Sequence, residues 1–304
     1  MTKMPKGLIA SIQARLNNLA RDQQRPHQEL LQYFAIERFL YRLSESEYRN
    51  SFVLKGGVVF FAWGISLRRP TRDIDLHGHT PYDVAYVEEI VKGICRQPVT
   101  PDGMEFDENS VRGESIQGRA ELEGTRIRFT GNLGNVRIPM RIDVGFSDNV
   151  VPPAVELSYP TLLGMPEPNL KAYTHETLIA EKFQAMVFLG MINSRMKDFY
   201  DIWLLSTETS INGSTLYESI ASTFKTRGTD IPVNVPDSLT QSFAQEKQRQ
   251  WQAFINRANV GADTPKFEEV IDHLHDFLMP VLNAVRAGAG FTALWTSEKH
   301  WQQN

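Results

Sequence analysis

The stretch KGGVVFFAWGISLRRPTRDIDLHG, Lys55 to Gly78, sets a glycine pair, an apolar run, a basic cluster and two aspartates side by side. Alternation makes DIDLHG a short strand. Asp73 and Asp75 then share one face of it, and Ile74 takes the other. Pro70 disfavours helix at Arg69, so RRPTR is a loop. The Gly56-Gly57 pair opens a helical run from Val58 to about Ile65. There its backbone N–H groups can approach a phosphate at a helix start. Lys55 is counted with the pair as nucleotide-binding, and Arg68, Arg69 and Arg72 are placed to steady a triphosphate.

Downstream, GTRIRFTGNLGNVRIPMRIDVGF reads as a β-hairpin turning at NLGN. Ile138, Met140, Ile142 and Val144 alternate on one face, which leaves Asp143 on the other. If this strand pairs beside DIDL, three carboxylates converge. Alone they would raise one another's pKa, and a divalent cation relieves that conflict. Mg²⁺ is satisfied by carboxylate, phosphate and water oxygens. Two such ions clamp the attacking and leaving oxygens of a phosphoryl displacement. The expectation is a strand at 73–76 adjacent to one at 137–145, with Asp73, Asp75 and Asp143 holding metal.

The first fifty residues read as helices. Leu8, Ile12, Leu16 and Leu19 form one stripe, and a second helix runs from His27 to Leu43. Five of the sixteen prolines fall between Pro152 and Pro168, which marks a candidate boundary. Beyond it the chain is helical. Thr174 is placed to cap HETLIAEKFQAMVFLG, and Asn193 or Ser194 to cap RMKDFYDIWLLS. Lys182 interrupts the apolar row Leu178, Ala185, Leu189, and Asp198 interrupts the row Ile202, Leu205. An inward charge is costly unless paired. The two readings are a buried Lys182–Asp198 ion pair, or a lysine that neutralises a phosphate oxygen with Asp198 positioning it or a substrate hydroxyl. Asp201, four residues after Lys197, reads as half of a solvated helix pair. His77 and His79 lack the third ligand of a transition-metal site.

With 304 residues, 41% hydrophobic and 22% charged, the chain has the composition of a globular protein with a sizeable core. A net charge of −4 argues against wholesale electrostatic binding of nucleic acid, leaving local patches. The single cysteine, Cys95, excludes an intrachain disulfide and a CxxC zinc site, and suits a reducing cytoplasm. No signal peptide or membrane span is expected.

These stretches resemble the nucleotidyltransferase AbiEii/AbiGii toxin family, the toxin half of bacterial toxin–antitoxin and abortive-infection systems. The likeness also takes in ARLNNLARDQQRPHQELLQYFAIERFLYRL and YPTLLGMPEPNLKAYTHETLIAEKFQAMVFLGMINSRMKDFYDIWLL, and so covers most of residues 10–206. It implies an α+β fold: a DNA-polymerase-β-like nucleotidyltransferase core with a mixed β-sheet, plus a helical C-terminal part. The expected division is helices over 1–50 packed on the core, the core over 51–165 and a mainly helical domain over 166–304. The family's motifs fall on Gly56, Gly57, Asp73 and Asp75, then on Arg141 and Asp143, then on Lys182, and last on Asp198 with Asp201 nearby. The implied activity is transfer of NMP from an NTP to an acceptor, the 3′ end of tRNA in some relatives, countered by a cognate antitoxin. Transfer to a small molecule or protein hydroxyl, and non-catalytic binding of nucleotide or a partner, stay open. Two departures stand out. Gly57 replaces a serine frequent in polymerase-β-like enzymes, and the gap from Gly57 to Asp73 is long.

Overall fold

The computed structural model describes residues 7–65, 69–78, 83–116, 124–146, 150–258, 260, 264–296 and 298–303. Arg68 and His79 lie outside them. The chain divides into two units, the first ending at Ala172 and the second running from Tyr173, with 150–154 also in the second.

The first unit is built on a mixed seven-stranded sheet. Its strands are β1 Phe52–Lys55, β2 Ile74–Gly78, β3 Met104–Ile116, β4 Gly124–Leu133, β5 Val136–Phe146, β6 Val155–Ser158 and β7 Asn169–Ala172. They lie in the order β3-β4-β5-β2-β1-β7-β6. β2 and β5 are parallel and adjacent, as the shared aspartate face required. β4 and β5 form the expected hairpin, closed by Gly134 and Asn135 between the partners Leu133 and Val136. Period-two burial is complete on β5: Ile138, Met140, Ile142 and Val144 are all buried.

Three helices cover that apolar face: α1 Leu8–Asp22, α2 His27–Glu45 and α4 Val84–Arg96. α2 is buried almost all round, including its charged residues Glu37, Arg38 and Arg42. Each finds a partner, as burial demands. Arg42 forks onto Asp102 at 2.8 and 3.0 Å. Arg38 donates to the Pro166 carbonyl at 2.9 Å, and Glu37 accepts the Leu162 N–H at 2.8 Å. The last two bonds tie the loop between β6 and β7 to α2. Burial pushes the Glu37 carboxyl up to about 7, against the neighbouring Arg38 charge.

The glycine pair does not open a long helix. A 3₁₀ turn at Gly56–Val58 leads into the single helical turn α3, Val59–Ala62. Too few peptide dipoles align there for a macrodipole, so the helix-start argument for phosphate fails.

The second unit holds α5 His175–Leu189, α6 Met196–Glu208, α7 Gly213–Thr226, α8 Gln241–Ala258 and α9 Phe267–Ala287. A small antiparallel sheet joins β8 Ile211–Asn212, β9 Leu294–Trp295 and β10 Trp301–Gln302. Thr174 caps α5 as expected, accepting the Thr177 N–H. The residue before α6 is Arg195, and Asn193 acts one step earlier by accepting the Arg195 N–H at 2.8 Å. Phe199, Phe243, Trp251 and Phe267 stack into an aromatic core.

Candidate active site

Pairing register builds the site. Lys55 lies opposite Asp75, Asp75 opposite Asp143, Asp143 opposite Arg126, and Arg126 opposite Glu114. Cross-strand partners project to the same side of a sheet. One row of ionisable side chains therefore crosses five strands on the face away from the helices. Ile74, Leu76, Ile142 and Val144, between the row's members, are buried on the other face. Asp73 stands just ahead of β2 and joins the row through Arg141, whose Nη2 lies 2.8 Å from Asp73 Oδ2 and 3.2 Å from Asp143 Oδ2.

Two glycines are fixed by close approach. Gly56 has φ +71°, and a Cβ there would fall 2.0 Å from Asp75 Oδ2, so the carboxylate lies against bare backbone. A Cβ on Gly57 would meet Thr71 Oγ1 at 2.8 Å and Arg69 Nη2 at 3.1 Å. Arg69 and Thr71 are both buried. The Thr71 hydroxyl has no hydrogen-bond partner among the described residues. The Lys55 ammonium reaches over β5, 3.4 Å from where a Gly145 Cβ would sit.

Electrostatics corrects one expectation. The carboxylates do not simply raise one another. Burial pushes Asp143 up, but the hydrogen bond from Arg126 and the charges of Arg141 and Arg126 outweigh it and hold Asp143 below its ordinary value. Arg126 contacts both oxygens of Asp143 at 2.8 Å. Among the described residues no group of three or more His, Cys, Asp or Glu side chains is gathered as a metal cage. Arginines stand where cations would. The donor chemistry nonetheless suits a hard divalent ion: Asp75 and Asp143 are carboxylates paired in register on neighbouring strands, and the glycine at position 56 lets Asp75 lie flush with the chain.

Arg72 is exposed, and its carbonyl accepts from Gln32 Nε2 at 3.3 Å. Arg72→Ala should leave thermal stability within about 0.5 kcal/mol of wild type, as for exposed polar truncations. It should weaken NTP binding severalfold in titration calorimetry. A large drop in melting temperature with binding unchanged would make Arg72 structural.

Within the second unit Lys182 and Asp198 do form the buried ion pair, at 2.7 Å. Asp201 is not solvated: it is 0% exposed and lies 2.9 Å from the same ammonium. Arg195 closes on the other oxygen of Asp198 at 2.6 Å. Asp201's four-residue spacing from Lys197 was the misleading signal. Its inward register with Leu205 was the informative one. Arg126 and Thr71 were absent from the sequence reading, although Arg126 and Arg128 alternate with Ile127 on the strand paired with Asp143.

A crystal structure of JHP933 from Helicobacter pylori is similar, with 12% identity and a TM-score of 0.45 over 87% of this chain and 96% of that one. A Helicobacter pylori structure described as a candidate nucleotidyltransferase gives 13% identity, a TM-score of 0.45 and coverage of 87% and 97%. No curated protein matches the chain. The model of the nucleotidyl transferase AbiEii toxins, type IV toxin–antitoxin system, matches residues 38–273. With most of its length inside that match, including the glycine pair, the three aspartates of the first unit and the Lys182 cluster of the second, the chain belongs to the AbiEii nucleotidyl transferase toxin family.

Proposed function

We propose that this protein is a Mg²⁺-dependent nucleotidyltransferase toxin with a polymerase-β-like core, acting in the cytoplasm. It moves NMP from an NTP to an RNA 3′ end, that of tRNA, and arrests growth unless a cognate antitoxin opposes it. The observation that carries the reading is the register of β2 and β5, which puts Asp75 beside Asp143 with Asp73 linked through Arg141. Asp73, Asp75 and Asp143 are the residues that would hold the metal. A divalent ion there supplies charge neutralisation at the attacking and leaving oxygens. Lys55, Gly56, Gly57, Arg69 and Arg72 bind the triphosphate. The chain departs from polymerase-β-like enzymes in lacking a hydroxyl at Gly57, and the adjacent Thr71 hydroxyl replaces it. Lys182 stands in the second unit, its ammonium held between Asp198 and Asp201. Asp143, kept ionised by its arginines, accepts the proton of the attacking hydroxyl.

The test supplies each labelled NTP to the protein with total RNA, total protein or small metabolites, with and without EDTA. EDTA-sensitive label on RNA 3′ ends is the expected result. Label on protein or metabolites would move the acceptor class, and no transfer to any of them would leave only binding.

A further inference from the structure

We infer that Arg126 occupies the third carboxylate in the metal-free protein and yields it to an entering divalent cation by moving to Glu114. The inference rests on the metal-site reading above. Its ground is that both oxygens of Asp143 are engaged by one guanidinium, Nε on Oδ1 and Nη2 on Oδ2, each at 2.8 Å. This fork is the strongest geometry an arginine and a carboxylate adopt. A hard divalent ion needs a carboxylate oxygen at roughly 2 Å. A guanidinium fixed on the same carboxylate repels it.

The row also contains a place for Arg126 to go. Glu114, its register partner on β3, has Oε1 3.8 Å from Arg126 Nη1. That contact is too long for a hydrogen bond now, and a small side-chain rotation would shorten it. Arg128 already holds the same Glu114 oxygen at 2.8 Å, so the acceptor is fixed in place. Arg126 is thus flanked by two acids on neighbouring strands, one bound and one waiting. Arg141 differs, because the two acids it bridges, Asp73 and Asp143, both belong to the proposed metal set. The arrangement disfavours a bare ion and favours one arriving with a triphosphate, whose oxygens complete its coordination and offset its charge.

The experiment measures Mn²⁺ affinity of the metal-stripped full-length protein by calorimetry, alone and with tripolyphosphate, while circular dichroism checks the fold. Arg126→Gln should bind Mn²⁺ alone at least about tenfold more tightly, since a full charge a few ångströms away is removed. It should also lose most of the gain that tripolyphosphate gives wild type. Glu114→Gln should bind Mn²⁺ more weakly, because the released guanidinium loses its acceptor. In an Asp143→Asn background the Arg126 effect should vanish. If Arg126→Gln fails to fold, Arg126→Lys, which keeps the charge but cannot fork, should show a smaller rise. Unchanged or weaker binding by Arg126→Gln or, where that variant is unfolded, by Arg126→Lys overturns the inference, and if Asp75→Asn still abolishes binding the metal site itself stands. No Mn²⁺ binding at millimolar concentration by wild type or the arginine variants overturns both readings.

Discussion

Lys182→Met should destabilise the second unit by about 3–5 kcal/mol, the cost of leaving buried charge without its partner. Asp198 and Asp201 are both 0% exposed, and the ammonium that lies 2.7 and 2.9 Å from them would be gone. Arg195 keeps one oxygen of Asp198. The effect has a pH signature. Burial alone would raise the Asp198 carboxyl, but Lys182 and Arg195 overcome it and hold it well below its ordinary value. A carboxyl lowered by folding contributes stability that is full above about pH 4 and is lost as pH falls through the folded value. The gap between wild type and Lys182→Met, read from urea midpoints, should therefore narrow on acidification as the aspartates protonate in the variant. A gap independent of pH, or below about 1 kcal/mol at neutrality, would show that Asp198 and Asp201 do not depend on Lys182. An inactive Lys182 variant is evidence about chemistry only if it is folded.

Asp75→Asn is the cleaner probe of transfer. The amide keeps the volume that Gly56 accommodates and removes the negative charge a metal requires. Transfer should fall by at least about 10³-fold, since charge stabilisation worth several kcal/mol is forfeited. Soluble yield and melting temperature should stay near wild type, because Asp75 lies on the face away from the apolar core. Expressed from an inducible promoter, the variant should no longer arrest growth. A soluble, folded Asp75→Asn protein that arrests growth as wild type does would place toxicity in binding and not in nucleotidyl transfer.

The site was legible in the sequence where a period of two was unbroken. DIDLHG and IPMRIDVGF each carry apolar residues on one parity and aspartates on the other, and that alone puts Asp75 and Asp143 on one face. β3 was not legible, because MEFDENSVRGESI has charged or polar residues in both phases. It is an edge strand, and its register with β4 shifts between Asp107 and Arg112. α4 was legible but passed over. Val87, Ile90, Val91 and Ile94 are all buried at helical spacing, with Asp83 accepting the Tyr86 N–H ahead of them. β1, β6 and β7 have four residues each, too few for a pattern to declare itself. What no pattern could supply was pairing. That Arg126 forks onto Asp143, or that Arg38 reaches Pro166, depends on contacts far apart along the chain.

The row across the sheet also bears on how this sequence can change over generations. Position along β2 is bound to parity. Losing or gaining one residue within the strand would turn Ile74 and Leu76 outward and drive the aspartate into the apolar layer. On its other side β5 imposes the same restriction around Asp143. Insertions and deletions are therefore excluded from both strands by one constraint. The segment between Gly57 and Asp73 is under no such parity rule, so variation in length among descendants of this chain should collect there, while the spacing from Asp73 to Asp75 stays at two.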